Sequence, residues 1–146
     1  MAQQLITFHL AGQILGLDIM AVREIRAWTP TTKLPHASEH VAGVVNLRGT
    51  VLPVMDLAAR LGWNATEATE RHVIIVTEIA GQLRGLIVDA VSDIVTAQNE
   101  DIQPPPNTGN ETIVEYLSGI VASDDKMVMV LDLTGLTSEL DVTEAA

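Results

Sequence analysis

The sequence has no cysteine, so neither a disulfide nor a thiolate metal site can form. Aromatic residues are scarce, at 3%. Hydrophobic residues nevertheless make up 47%, so a core must be built from Val, Ile, Leu and Ala. That composition is far from that of a disordered chain. Basic residues are also few, 8 Lys and Arg against 19 Asp and Glu, which leaves a net charge of −11. Such a surface repels phosphate backbones and anionic lipid and argues against binding to nucleic acid or membrane. The two tryptophans do not change this, because no basic stripe surrounds them. No apolar run reaches the ~18 residues of a membrane span. The start, "MAQQLITFHLAG", lacks the basic and apolar regions of a secretory signal. A soluble, cytoplasmic protein with no membrane insertion is expected. Catalytic signatures are missing too: no G-x-S-x-G, no glycine-rich loop before a helix and no P-loop.

What is present is an internal repeat. "AGQILGLDIMAVREI" (11–25) aligns with "AGQLRGLIVDAVSDI" (80–94) at an offset of 69. "GVVNLRGTVLPVMDL" (43–57) aligns with "GIVASDDKMVMVLDL" (119–133) at an offset of 76. The second copy therefore carries seven extra residues, and the Pro- and Asn-rich stretch "QPPPNTGNET" is where they enter. Two blocks in the same order define two homologous halves, roughly 11–62 and 80–137, joined by the polar "GWNATEATER" (62–71).

Within each half the pattern is mostly β. "LITFHL" alternates, with Ile6, Phe8 and Leu10 on one face. "AGQ" then supplies a hairpin turn, and "RHVIIVTEI", "AGQ", "LRGLIV" repeats the unit. "VAGVV" and "TVLPV" pair around Asn46-Leu47-Arg48-Gly49. "LSGIVAS" and "KMVMVL" pair around Asp124-Asp125. Short, nearly continuous apolar runs imply burial on both faces, as in small closed barrels. Pro53 cannot donate to a ladder, so its strand is expected to be an edge or to bulge there. Met127 and Met129 read as core packing. Asp56 and Asp132 open two short helical stretches, 56–61 and 132–140, as N-caps. The expected fold is mainly β: two tandem five-stranded barrels with short helices.

The candidate chemistry is thin. "HASEH" (36–40) matches the inverted zinc-protease motif, with His36 and His40 as ligands and Glu39 as base. Too few residues separate Pro35 from the strand at Val41 to hold the helix that site needs, so a polar loop is the better reading. His9 and His72 are isolated and read as surface residues. Asp56 and Asp132 could be mistaken for an acid–base pair, but capping explains both. No cofactor, metal or catalytic set is expected.

Comparing the halves isolates one feature. Asn46-Leu47-Arg48-Gly49 is answered by Ala122-Ser123-Asp124-Asp125. The flanking strands recur and the turn does not, which points to a task for the first turn. Asn46 and Gly49 suit a chain reversal, whereas Arg48 is required by neither turn nor repeat. Glu24 and its counterpart Asp93 keep a carboxylate among apolar neighbours. Glu24 is either a solvated strand residue, an interface group or the partner that fixes Arg48.

"VAGVVNLRGTVLPVMDL", "LGLDIMAVREI", "GLIVDAVSDI" and "EYLSGIV" together resemble the CheW-type chemotaxis coupling proteins over nearly the whole chain. The resemblance implies one domain, 1–146, of two SH3-like five-stranded barrels sharing a hydrophobic core. Their subdomains would run about 11–62 and 72–137, with residues 1–10 pairing into the barrels and an acidic tail at 138–146. It implies a non-enzymatic adaptor between the helical cytoplasmic tip of chemoreceptors and the regulatory domain of the histidine kinase CheA, recruited to membrane-associated arrays. The receptor tip would dock between the barrels, with Arg48 and Glu24 as the polar pair and Val22, Val91 and Ile94 lining an apolar groove. The kinase would meet the barrels end to end, through residues that no motif marks.

Overall fold

The computed structural model describes residues 2–33, 35, 41–61, 63, 69–79, 81–104, 116–123 and 126–133. The first half supplies strands β1 (Ala2–Leu10), β2 (Gln13–Asp18), β3 (Val22–Ala27), β4 (Val41–Leu47) and β5 (Thr50–Asp56), then helix α1 (Leu57–Arg60). The second supplies β6 (Val73–Ile79), β7 (Gln82–Val88), β8 (Ala90–Gln98), β9 (Leu117–Ser123) and β10 (Lys126–Leu131).

These strands form two five-stranded sheets, ordered β8-β1-β2-β10-β9 and β3-β6-β7-β5-β4. The second order is the first with every strand replaced by its repeat equivalent. The sheets do not, however, follow the sequence halves. Subdomains cut at 11–62 and 72–137 would keep β2 with β3 to β5. Instead β2 pairs with β1 and, in parallel, with β10, and β5 pairs in parallel with β7. Each sheet thus joins a hairpin from one half to three strands from the other, and neither half can complete a sheet alone.

Among the described residues, three clusters hold every buried hydrophobic side chain except Ile6. Leu5, Ala97, Val121, Val128 and Val130 fill the first sheet. Leu47, Leu52, Val54, Ile74, Val76 and Ile87 fill the second. Between them lies a shared core to which Phe8, Leu10, Leu15 and Leu17 come from one sheet and Met55, Ile75, Leu86 and Val88 from the other. These are two small β units on a common core, as expected for SH3-like tandem barrels. β1 serves two of the clusters: Leu5 belongs to the first sheet's own, Phe8 and Leu10 to the shared one. Its burial is therefore two-sided, and Leu5 and Thr7 are as hidden as the predicted face.

The hairpin turn at "AGQ" is two residues long, Ala11 and Gly12, both at positive φ, between the paired Leu10 and Gln13. That is the type I′ geometry that matches strand twist. Asp56 caps α1 by accepting from the Ala59 amide at 3.3 Å, so capping describes it correctly. Residues 134–140 of the second expected helix lie outside the described residues.

Two expectations change. β5 is an interior strand, and the register is unbroken at Pro53 opposite Val44. Val44 exchanges both backbone bonds with Thr32, at 2.9 and 2.8 Å, so its polar groups point away from β5. The Pro53 nitrogen therefore points toward β7, where pairing starts only at Val54. No ladder donor is lost. Met127 is 61% exposed, although it shares a strand face with Met129: Met129 packs on the shared core, and Met127, two residues nearer the start of the strand, lies beyond it.

Candidate docking site

Arg48 and Gly49 are the two central residues of the β4–β5 hairpin, with φ of +51° and +88°, and Leu47 pairs with Thr50 around them. The type I′ turn wants Asn, Asp or Gly at its first position. Arg48 holds that left-handed conformation despite its Cβ. Asn46 steadies the turn by accepting from the Gly49 amide at 2.8 Å. Arg48 is thus part of the turn itself, at a place where its residue type is a conformational liability.

What holds it is Glu24. An Arg48 Nη donates to Glu24 Oε2 at 2.6 Å. The carboxylate also takes a bond from Arg26 Nη1 at 3.2 Å on Oε1. Arg26 was not anticipated from the sequence. Its signal was there in the two-residue spacing, which places Glu24 and Arg26 on one face of a strand. A β-bulge between Val22 and Glu24, opposite Thr77 and Val76, re-aims this edge strand. The Glu24 carboxyl is held below the usual carboxylate range, chiefly by the Arg48 hydrogen bond and opposed by partial burial. The Arg48 guanidinium is pushed up by the same bond. The Arg48 side chain is still 72% exposed, so it is oriented while remaining accessible.

Arg48 and Glu24 border a cleft of about 280 Å³ with Val22, Arg23, Leu47, Val76 and Leu83. The predicted residues divide at this point. Glu24, Arg48 and Val22 come together here. Val91 and Ile94 lie on β8, in the other sheet, at the repeat positions of Val22 and Ile25. Val22 and Val91 both pack against the shared core. Ile94 is 55% exposed and Ile25 42% exposed.

The remaining candidates play other parts. His72 is tied down: its Nδ1 accepts from the Thr69 amide at 3.0 Å, and its Nε2 lies 3.4 Å from Asp89. His36, Glu39 and His40 lie outside the described residues. Among the described residues no group of three metal-ligating side chains occurs, and no helix is long and apolar enough to cross a membrane.

A double β scaffold carrying a pre-set ion pair at the rim of an exposed, partly apolar cleft presents surface features that suit the docking of another protein. Comparison with known proteins identifies the family. The family model described as CheW-like domain matches residues 4–141. The chain is 46% identical over 144 residues to the probable chemotaxis protein CheW of Rhizobium etli, covering 99% of this chain and 92% of that one. It is 47% identical over 131 residues to the chemotaxis protein CheW of Rhizobium meliloti, covering 90% and 84%. In three dimensions it resembles the crystal structure of the scaffolding protein TtCheW from Thermoanaerobacter tengcongensis. The TM-score is 0.84 at 37% identity, with 94% of this chain and 89% of that one covered. The chain belongs to the CheW-like domain family and is a coupling scaffold of chemotaxis.

Proposed function

We propose that the chain, without catalysis of its own, links the helical cytoplasmic tip of chemoreceptors to the regulatory domain of the histidine kinase CheA, in membrane-associated arrays. Arg48 is the receptor-docking group, Glu24 its orienting partner, and Val22, Val91 and Ile94 the apolar contacts. The observation that carries this reading is an arginine kept in a left-handed turn and gripped at 2.6 Å by Glu24, yet largely exposed. A solvated charge gains nothing from that arrangement. A docking group does, because its side-chain entropy is spent before the partner arrives. The partner fits helix-in-groove recognition: apolar side chains against Val and Ile, register set by charge-assisted bonds.

The test is kinase autophosphorylation in a reconstituted mixture of receptor and kinase, with and without this protein. Stimulation is expected with the natural chain and is strongly reduced with Arg48→Ala at equal concentration. No stimulation by the natural chain rejects the coupling role. Full stimulation by the variant rejects the part given to Arg48.

A further inference from the structure

The duplication copies the cleft as well as the strands. A second one, of about 70 Å³, lies on the other sheet. Its Thr7, Ile14, Ser92 and Asp93 stand at the repeat positions of Val76, Leu83, Arg23 and Glu24 of the first. What differs is charge. Glu24 is met by two guanidinium groups of its own chain. For Asp93 the equivalent of Arg26 is Val95, and the equivalent of Arg48 is Asp124 in the sequence. Among the described residues no cation pairs with the Asp93 carboxylate. Lys126, on the far strand, is the one basic residue of the lining.

The carrier of that carboxylate is fixed. The Thr7 hydroxyl donates to the Asp93 carbonyl and accepts from the Asp93 amide, both at 3.1 Å, and Thr7 is 3% exposed. Ile14, Val95 and Val128 give the cleft an apolar wall. A volume of about 70 Å³ takes a side-chain head group and is far below the ~300–1,000 Å³ of a small-molecule pocket.

We propose that this second cleft accepts an arginine side chain from a partner protein. The arginine stem lies along Ile14 and Val95, and its guanidinium pairs with Asp93 as Arg48 and Arg26 pair with Glu24. The match is one of charge and shape together: a cationic plane on an apolar stem meets a carboxylate beside an apolar wall. The net charge of −11 favours approach of a basic partner.

The experiment is a titration of the full ¹⁵N-labelled chain with N-acetyl-arginine amide at low salt, followed by amide shifts, with the neutral citrulline amide as the matched probe. A saturable shift is expected at Thr7, Ser92 and Asp93 with the arginine probe and not with citrulline. Asp93→Asn should weaken it about tenfold or more, the usual loss for a charged hydrogen bond. That variant keeps the fold, because the Asp93 side chain makes no hydrogen bond among the described residues. With Arg26→Val and Arg48→Ala combined, the same probe should also shift Glu24, since the first cleft then lacks both of its own guanidinium groups, as the second does. No saturable shift at the three amides overturns the proposal. So does an equal response to citrulline, or a response that survives Asp93→Asn.

Discussion

Arg48 serves the turn badly and the cleft well, and the two roles can be separated. Asn is at home at the first position of a type I′ turn. Arg48→Asn should therefore leave the urea midpoint of unfolding near that of the natural chain, because relief at the backbone offsets loss of a largely exposed ion pair. Receptor affinity should fall about tenfold or more, measured by binding to a receptor-tip fragment. A variant that binds normally would make the exposed guanidinium incidental. Glu24 carries the acid dependence. Its folded-state pKa is depressed by Arg48 and Arg26, so its contribution is present above the unfolded value near 4.5 and is lost as pH falls below it. The stability gap between the natural chain and Glu24→Gln should be constant across neutral pH and close in acid. A gap that persists unchanged at pH 3 would show that Arg48 does not depend on the Glu24 charge.

At the scale of elements, the repeated glycines of the two hairpin blocks answer to a strap. Thr32 bridges to Val44 and Gln103 bridges to Ile120, at equivalent places beside β4 and β9. A Cβ on Gly43 would stand 2.5 Å from the Thr32 carbonyl oxygen, and one on Gly119 would stand 2.8 Å from that of Gln103. Gly43→Ala and Gly119→Ala should each cost about 1–3 kcal/mol, typical of overpacking, by denaturant unfolding. A neutral result at either would show that its strap is not held against the strand. The hairpins themselves were legible, because a turn is a local event and "AGQ" recurs. The place of Pro53 was not. A single strand does not disclose which neighbour its nitrogen faces; that depends on Thr32 having taken the outer side of Val44. Arg26 was missed for a related reason: strand alternation puts it beside Glu24, but only the β4–β5 hairpin, arriving from elsewhere in the chain, makes that face a site.

At the scale of the whole molecule, the repeat announced two equal units and concealed how they interlock. Homology between halves is written in residue identities. The parallel pairings β2–β10 and β5–β7 are not, since they join distant segments whose apolar runs would suit several partners. The cleft was legible in part for the same reason: Glu24, Arg48 and Val22 meet within one sheet, whereas Val91 and Ile94 belong to the other. The interlocked arrangement has a direct consequence. A fragment ending within 62–71 contains β1 and β2 without β8 to β10, and β3 to β5 without β6 and β7. Both its sheets are open, and the shared core loses Ile75, Leu86, Val88 and Leu131. The complementary fragment is open in the same way. Each should therefore lack cooperative unfolding alone, and mixing them at equal concentration should restore the strand signal and a single transition. The restored midpoint should rise with concentration, because the linker's loop closure has become an association. A first fragment that unfolds cooperatively by itself would show that each half closes its own barrel after all, and that the exchange of hairpins is not what holds the two sheets together.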